Sequence, residues 1–361
     1  NFYYFRIETR TGERALQTFS IKKKMKSIPI TRARHATNFA IALEQYGAPV
    51  EPYLARSHLP EAIQETINGD VIVSAISMLD FAEKAALNQG ILDLGFHAGT
   101  VPVEGYGEFG KRVASSASLY DAIYTFCSEV RGECSEADYF LTQGGQSAWF
   151  CHGPVGDNPF GLQQHELYAL SIMLQVIQLA LGAEWHPARV RLQATNESAL
   201  SGNDFLLNTK IEFGAPLTAI EFPRKFLARP LSSTRNKTPT RHQMSGRDEN
   251  TAIQSNDPLV ALHQLITSCI RESNAPTIES AAELVGVSKR SLQRFLRSKS
   301  TTYTGLVDQI RFNMALPLLN DDSVAITEIA YELGYSNVAH FSRAFRRITG
   351  MSPRAYRHVL K

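Results

Sequence analysis

EIAYELGYSNVAHFSRAF, Glu328 to Phe345, has a near copy earlier in the chain: AAELVGVSKRSLQRFL, Ala281 to Leu296. At an offset of 48, Ile278 meets Ile326, Ala281 meets Ile329, Ala282 meets Ala330 and Val285 meets Leu333. These fall at i, i+3, i+4, i+7, the buried face of a short helix. Gly286 meets Gly334, where a tight interhelical turn needs a residue tolerant of positive φ. Ser288 meets Ser336 near the start of the next helix. One extra residue then moves the offset to 49, so that Leu292 meets Phe341, Arg294 meets Arg343 and Leu296 meets Phe345. The same unit, helix, glycine turn, helix, therefore occurs twice, at about 278–299 and 326–347. That is a helix-turn-helix.

The second helix of each unit is basic outside its core positions. The first carries Lys289, Arg290, Arg294, Arg297 and Lys299, with no acidic residue from Ser288 to Ser300. The second carries His340, Arg343, Arg346 and Arg347. A helix that reads DNA needs donors for base edges flanked by cations for phosphates. Either helix alone is equally a solvated surface face. The repeat, with matched turns and cores, favours DNA, and protein–protein contact is the remaining reading. Between the units, Leu306, Val307, Ile310, Met314 and Leu318 predict a linking helix that fixes their separation. Two such units on one face of DNA would enter successive major grooves about 34 Å apart. Pro317 late in that helix would remove a hydrogen bond and disfavour a regular helix by roughly 3 kcal/mol.

Charge is distributed to match. The chain of 361 residues carries a net charge of +2. Residues 257–361 hold 13 Lys+Arg against 9 Asp+Glu, so the rest is net negative. Composition, 43% hydrophobic and 20% charged, excludes wholesale disorder.

The clearest boundary is Ser232 to Asn256, where Met244, Ala252 and Ile253 are the apolar residues. Such a stretch predicts a flexible linker. After it, Asp257 suits an N-cap and Pro258 the first helical position, with Leu259, Leu262, Ile266 and Ile270 on one face. Before it, 25–231 is predicted to be an α+β domain. Helices are expected over Ala33–Tyr46, Leu79–Gln89, a segment capped by Ser118, and Gln163–Leu181. Short antiparallel strands are expected in ADYFLTQ and SAWFCHG, joined at Gly144-Gly145, and in ARVRLQA and LTAIEFP. Residues 1–24 read as an extension that need not be native, with Met25 a candidate start. The fold class is thus two-domain: an α+β region, then an all-α region with two helix-turn-helix units joined by a helix.

Other motifs carry less. GYGEFG, Gly105 to Gly110, has dinucleotide-loop spacing but no preceding strand, and reads as a turn before a helix. Cys127, Cys134, Cys151 and His152 fit no zinc spacing and read as buried free thiols beside a histidine. Cys151 and His152, adjacent in a strand, point to opposite faces and form no catalytic pair. Ser171, Gln175 and Gln178 form a polar stripe expected to face solvent rather than a ligand. Trp149 and Trp185 are expected in the core. Tyr168–Trp185, broken by those polar residues, reads as a buried helix rather than a membrane span. Neither a signal peptide nor a disulfide framework is indicated, which suits a cytoplasmic protein.

Residues 257–361 resemble the DNA-binding domain of the AraC/XylS family of bacterial transcription regulators. The resemblance rests on Ser288-Lys-Arg-Ser-Leu-Gln-Arg-Phe, on Arg311, Ala315 and Leu318-Leu319, and on Ile329-Ala330 and Leu333-Gly334-Tyr335. It continues through Phe341-Ser-Arg-Ala-Phe345 and Gly350-Met-Ser-Pro-Arg-Ala-Tyr-Arg357. Residues 25–231 resemble the effector-type domain of the subgroup with the ornithine-utilisation regulators, through Phe213-Gly-Ala-Pro216 and Phe226-Leu-Ala-Arg-Pro-Leu231. The resemblance implies base contacts from Arg290, Gln293 and Arg294 in the first unit. In the second it implies Asn337, Val338, His340 and Arg343. Arginine suits guanine and glutamine suits adenine. It further implies double-stranded promoter DNA as partner, a homodimer, contact with RNA polymerase and a small-molecule effector whose site is not legible. No cofactor, metal or catalytic residue is expected. The alternative, residues 25–231 as an enzyme tethered to a DNA reader, finds no nucleophile–base or paired-carboxylate spacing.

Overall fold

The computed structural model describes residues 28–60, 71–153, 161–200, 203–231, 257–272 and 274–359. The expected extension 1–24 and the expected linker 232–256 lie outside the described residues.

The N-terminal region is α+β. A two-stranded antiparallel ribbon pairs β1 (Ile30–Arg32) with β2 (Ile72–Ser74). Each strand runs directly into a helix: β1 into α1 (Ala33–Gln45), β2 into α3 (Ala75–Gln89). Between them lies α2 (Glu51–Arg56), and after them α4 (Leu94–Ala98), α5 (Gly107–Ala114) and α6 (Leu119–Glu129). Ser118 caps α6 as expected, its hydroxyl accepting the Asp121 N–H.

A five-stranded sheet follows, in the order β3-β4-β7-β5-β6. Its strands are β3 (Tyr139–Gly144), β4 (Ser147–His152), β5 (Arg189–Arg191), β6 (Lys210–Glu212) and β7 (Thr218–Pro223). Only β5 and β6 run parallel. The long helix α7 (Leu162–Leu181) covers one face, so Ala148, Phe150, Val190, Ile220 and Phe222 are buried. The hairpin loop is one residue later than expected. The ladder extends through Gly144↔Ser147, leaving Gly145-Gln146 as the turn, with Gly145 at φ 58°. That is the positive φ a two-residue hairpin turn requires. β5 is shorter than ARVRLQA suggested. The N–H groups of Gln193 and Ala194 donate to the Glu166 carboxylate, at 2.6 and 2.9 Å.

Two expectations fail here. The stripe on α7 does not face solvent: Ser171 is buried under Gly99, where an added Cβ would lie 2.6 Å from its own. Gln178 donates to the carbonyls of Ala183 and Trp185, closing the chain after the helix. Trp149 lies on the outer face of the sheet and not in the core. Arg191 sits 4.4 Å from its ring centroid, a cation–π contact on a half-buried surface. GYGEFG is a turn into α5, and Cys151 and His152 take opposite faces of β4.

The C-terminal region is all-α, with α8 (Pro258–Glu272), α9 (Ile278–Leu284), α10 (Lys289–Ser298), α11 (Tyr303–Asn320), α12 (Ile326–Glu332), α13 (Val338–Thr349) and α14 (Pro353–Val359). Asp257 caps α8 by accepting the Leu259 N–H at 2.8 Å. Two cores form. The first holds Leu262, Ile266, Ala281, Leu292, Leu296 and Ile310, and takes in Ile28, Ile30 and Ile72 of the N-terminal region. The second holds Ala315, Leu319, Ile329, Ala330, Leu333, Phe341 and Phe345. α11 passes through both, and Met314 packs against each. Pro317 is exposed and lies in the last turn of α11, so its missing N–H falls near the helix end. Arg357 donates to the Leu319 and Val324 carbonyls beyond it, at 3.1 and 2.9 Å.

Candidate nucleic-acid interface

Each unit is built by the same local chemistry. Thr277 caps α9 by accepting the Ser280 N–H at 3.1 Å, and Ser288 caps α10 from Ser291 at 3.2 Å. In the second unit Glu328 accepts the Ala325 N–H at 2.9 Å and Asn337 caps α13 from His340 at 2.9 Å. The cap of α13 is thus Asn337, one residue beyond Ser336. That residue is the insertion that moves the repeat offset from 48 to 49. Gly286 and Gly334 adopt φ of 69° and 72°, so both turns use the left-handed conformation.

Side chains implied as DNA contacts divide by what they touch. On α10, Arg290, Arg294 and Arg297 are exposed and make no ion pair among the described residues. On α13 the same holds for Arg343 and Arg346. Lys289 is paired with Glu279 at 2.5 Å and Lys299 with Asp257 at 3.4 Å. Arg347 is paired with Asp308 of α11. Hydrogen bonding to Lys289 holds the Glu279 carboxyl below its usual range. Gln293 is half-buried. His340 is exposed, its Nδ1 3.2 Å from the Ser336 hydroxyl. Asn337 spends its carbonyl oxygen on the cap, and Val338 packs against the second core. Beside α10 a cleft of about 260 Å³ is lined by Ile278, Leu296 and Tyr303 as well as by Lys289, Gln293, Arg297 and three threonines.

A polar network that sequence reasoning missed lies inside the N-terminal region. His35 Nδ1 is 2.7 Å from the Tyr168 hydroxyl, to which Asn38 donates at 3.1 Å and beside which the Tyr106 hydroxyl lies at 3.3 Å. His35 also faces the buried Glu133 carboxylate at 3.7 Å, shared with Arg32 at 3.5 Å. His152 lies against Tyr139 with the rings tilted and meets His165 edge-on, ring centroids 4.4 and 5.3 Å apart. Burial pushes the His152 imidazolium down to about 3 and His165 down to about 4. The available signal was histidine and tyrosine at core positions of α1, α7 and β4. The cysteines are free, and burial raises Cys127 to about 12. Among the described residues no three His, Cys, Asp or Glu are grouped to hold a metal, and no helix is long and apolar enough to cross a membrane.

Residues 47–231 match the arabinose-binding N-terminal domain of AraC transcription regulators, just over half of the chain. The chain belongs to the AraC family. Its residues 281–358 match a helix-turn-helix domain. The ornithine utilization regulator of Pseudomonas aeruginosa is 32% identical to this AraC-family chain over 152 residues, 41% of this chain and 43% of the relative. An uncharacterized HTH-type transcriptional regulator of Mycobacterium tuberculosis is 27% identical over 148 residues, 40% of this chain and 42% of the relative. The matched stretches span less than half of each relative. The crystal structure of the transcriptional regulator CdpR from Pseudomonas aeruginosa covers 88% of this chain and 98% of its own, at 19% identity and a TM-score of 0.34. The AraC family is one of transcription regulators and not of enzymes.

Proposed function

We propose that this chain is a sequence-specific DNA-binding transcription regulator that lays α10 and α13 in successive major-groove segments of one site. The observation that carries this is the repeated unit itself: two capped helices, each presenting unpaired arginines, joined by one helix common to both cores. Arg290, Arg294 and Arg343 serve as base readers, with Gln293 and His340 beside them. Arg297, Arg346, Lys289 and Arg347 contact phosphates. Val338 contributes packing, and at most a methyl contact with thymine. The regions divide near 232–256: the N-terminal one binds a small-molecule effector and forms the homodimer, and the DNA-bound dimer meets RNA polymerase.

Selection of duplexes from a random library by the full-length protein, followed by footprinting, tests this reading. Two protected half-sites about one helical turn apart are expected for each protomer. Recovery of no preferred sequence, or protection of a single half-site, overturns it.

A further inference from the structure

The two helix-turn-helix turns are alike in backbone and unlike in what braces them. In both, the glycine N–H donates at 2.9 Å, Gly286 to Glu283 and Gly334 to Tyr331. In both, the next residue donates at 2.9 Å, Val287 to Ala282 and Tyr335 to Ala330. The second turn is held from within the DNA-binding region. Arg311 of α11 donates to the Gly334 carbonyl at 3.1 Å and stacks on Tyr335, and a Cβ on Gly334 would lie 2.5 Å from the Asn274 side chain.

The first turn is held by the N-terminal region. Ser74, at the end of β2, donates its hydroxyl to the Leu284 carbonyl at the end of α9. The same hydroxyl caps α3 by accepting the Ser77 N–H at 3.2 Å. Ile76, in the first turn of α3, lies against the glycine: a Cβ on Gly286 would be 2.5 Å from its Cδ1. Ile72 N–H donates to Ser268 of α8 at 2.9 Å, and Ile28, Ile30 and Ile72 sit inside the first core. Among the described residues, the second core and its turn take none from the N-terminal region.

Resting on the DNA-binding reading above, we propose that the N-terminal region sets the tilt of α10, and not of α13, by clamping the α9–α10 turn through Ser74 and Ile76. The path is short. α3 packs on α7, where Gly161 abuts Leu79, and α7 carries Tyr168, the partner of His35 in the helix that follows β1. A displacement of α1 or α3 moves the ribbon and the turn together. A signal received by the N-terminal region is therefore delivered to the half-site under α10, while α13 keeps its geometry.

Hydrogen exchange by mass spectrometry on the full chain tests the clamp without DNA. In Ser74→Ala the Gly286 and Val287 amides should exchange about tenfold faster, the scale of one lost buried hydrogen bond. In Ser74→Thr, which keeps the hydroxyl, they should match wild type. The Gly334 and Tyr335 amides should be unchanged in both. No change at Gly286 and Val287, or equal acceleration in both turns, overturns the clamp. A second arm uses the duplex selected by wild type. Base changes under α10 should cost Ser74→Ala less affinity than they cost wild type, and changes under α13 should cost both proteins the same. Equal costs under both helices overturn the assignment to one half-site. If wild type selects no duplex, the DNA-binding reading fails, and the exchange result still decides the clamp.

Discussion

The guanidinium of Arg311 lies 4.5 Å from the ring centroid of Tyr335 and donates to the carbonyl of Gly334 at 3.1 Å. One side chain of α11 thereby ties the linking helix to the turn before α13. Truncating it removes a cation–π contact and strands a half-buried carbonyl. Arg311→Ala should destabilise the folded state by about 1–3 kcal/mol, measured by urea unfolding. Arg311→Lys should recover only part, since an ammonium cannot stack and donate in the same plane.

Arg294→Ala and Arg343→Ala should each cost about 1–3 kcal/mol of binding at one base position, and in different halves of the site. Affinity for a panel of single-base variants gives the answer. Arg297→Ala, in the cleft beside α10, should weaken all sequences alike and lower the salt slope of binding by about one. A uniform loss from Arg294→Ala would make that arginine a phosphate contact instead.

His152 gives stability a pH dependence of definite sign. Its folded-state pKa, about 3, is below the free value of 6.5 because burial disfavours the cation. The unfolded chain thus takes up the proton first as pH falls. Stability is full above pH 6.5 and declines below it, by about 1.4 kcal/mol per pH unit for this one group, until protonation of the folded form near pH 3. Denaturation midpoints from pH 7 to pH 4.5 should fall less steeply in His152→Gln than in wild type.

Pro317 is exposed in the last turn of α11, where it withholds one N–H from the helix. Pro317→Ala restores that donor and should raise the unfolding free energy by about 1 kcal/mol or more, with DNA affinity unchanged. Loss of affinity together with gain in stability would show that the site uses the local helix geometry that Pro317 imposes.

Legibility followed the range of the interactions. The repeat, its caps and its glycine turns were readable because each depends on residues within about one helical turn of one another. Ser118, Asp257 and Ser288 were legible for that reason. β6 was missed because Lys210–Glu212 is a short edge strand whose neighbour β5 lies some twenty residues away. The burial of Ser171 depends on Gly99, and the ion pair that occupies Lys289 depends on Glu279 ten residues back. The His35–Tyr168 contact joins residues 133 apart, so a polar residue at a core position marks each helix singly while nothing local pairs the two. The brace on Gly286 is the extreme case, since Ser74 and Ile76 lie across the boundary that composition drew at 232–256.

α11 also works as a screw thread. Ile310 is seated in one core and Ala315 in the other, so both ends of the thread are engaged. One residue inserted between them would advance α13 by only about 1.5 Å but turn it by about 100°. The arginines of α13 would then face about 100° away from the side that α10 presents, while the distance between the two units barely altered. Four inserted residues would bring the face nearly back, about 6 Å further along. What α11 keeps constant is therefore phase more than length.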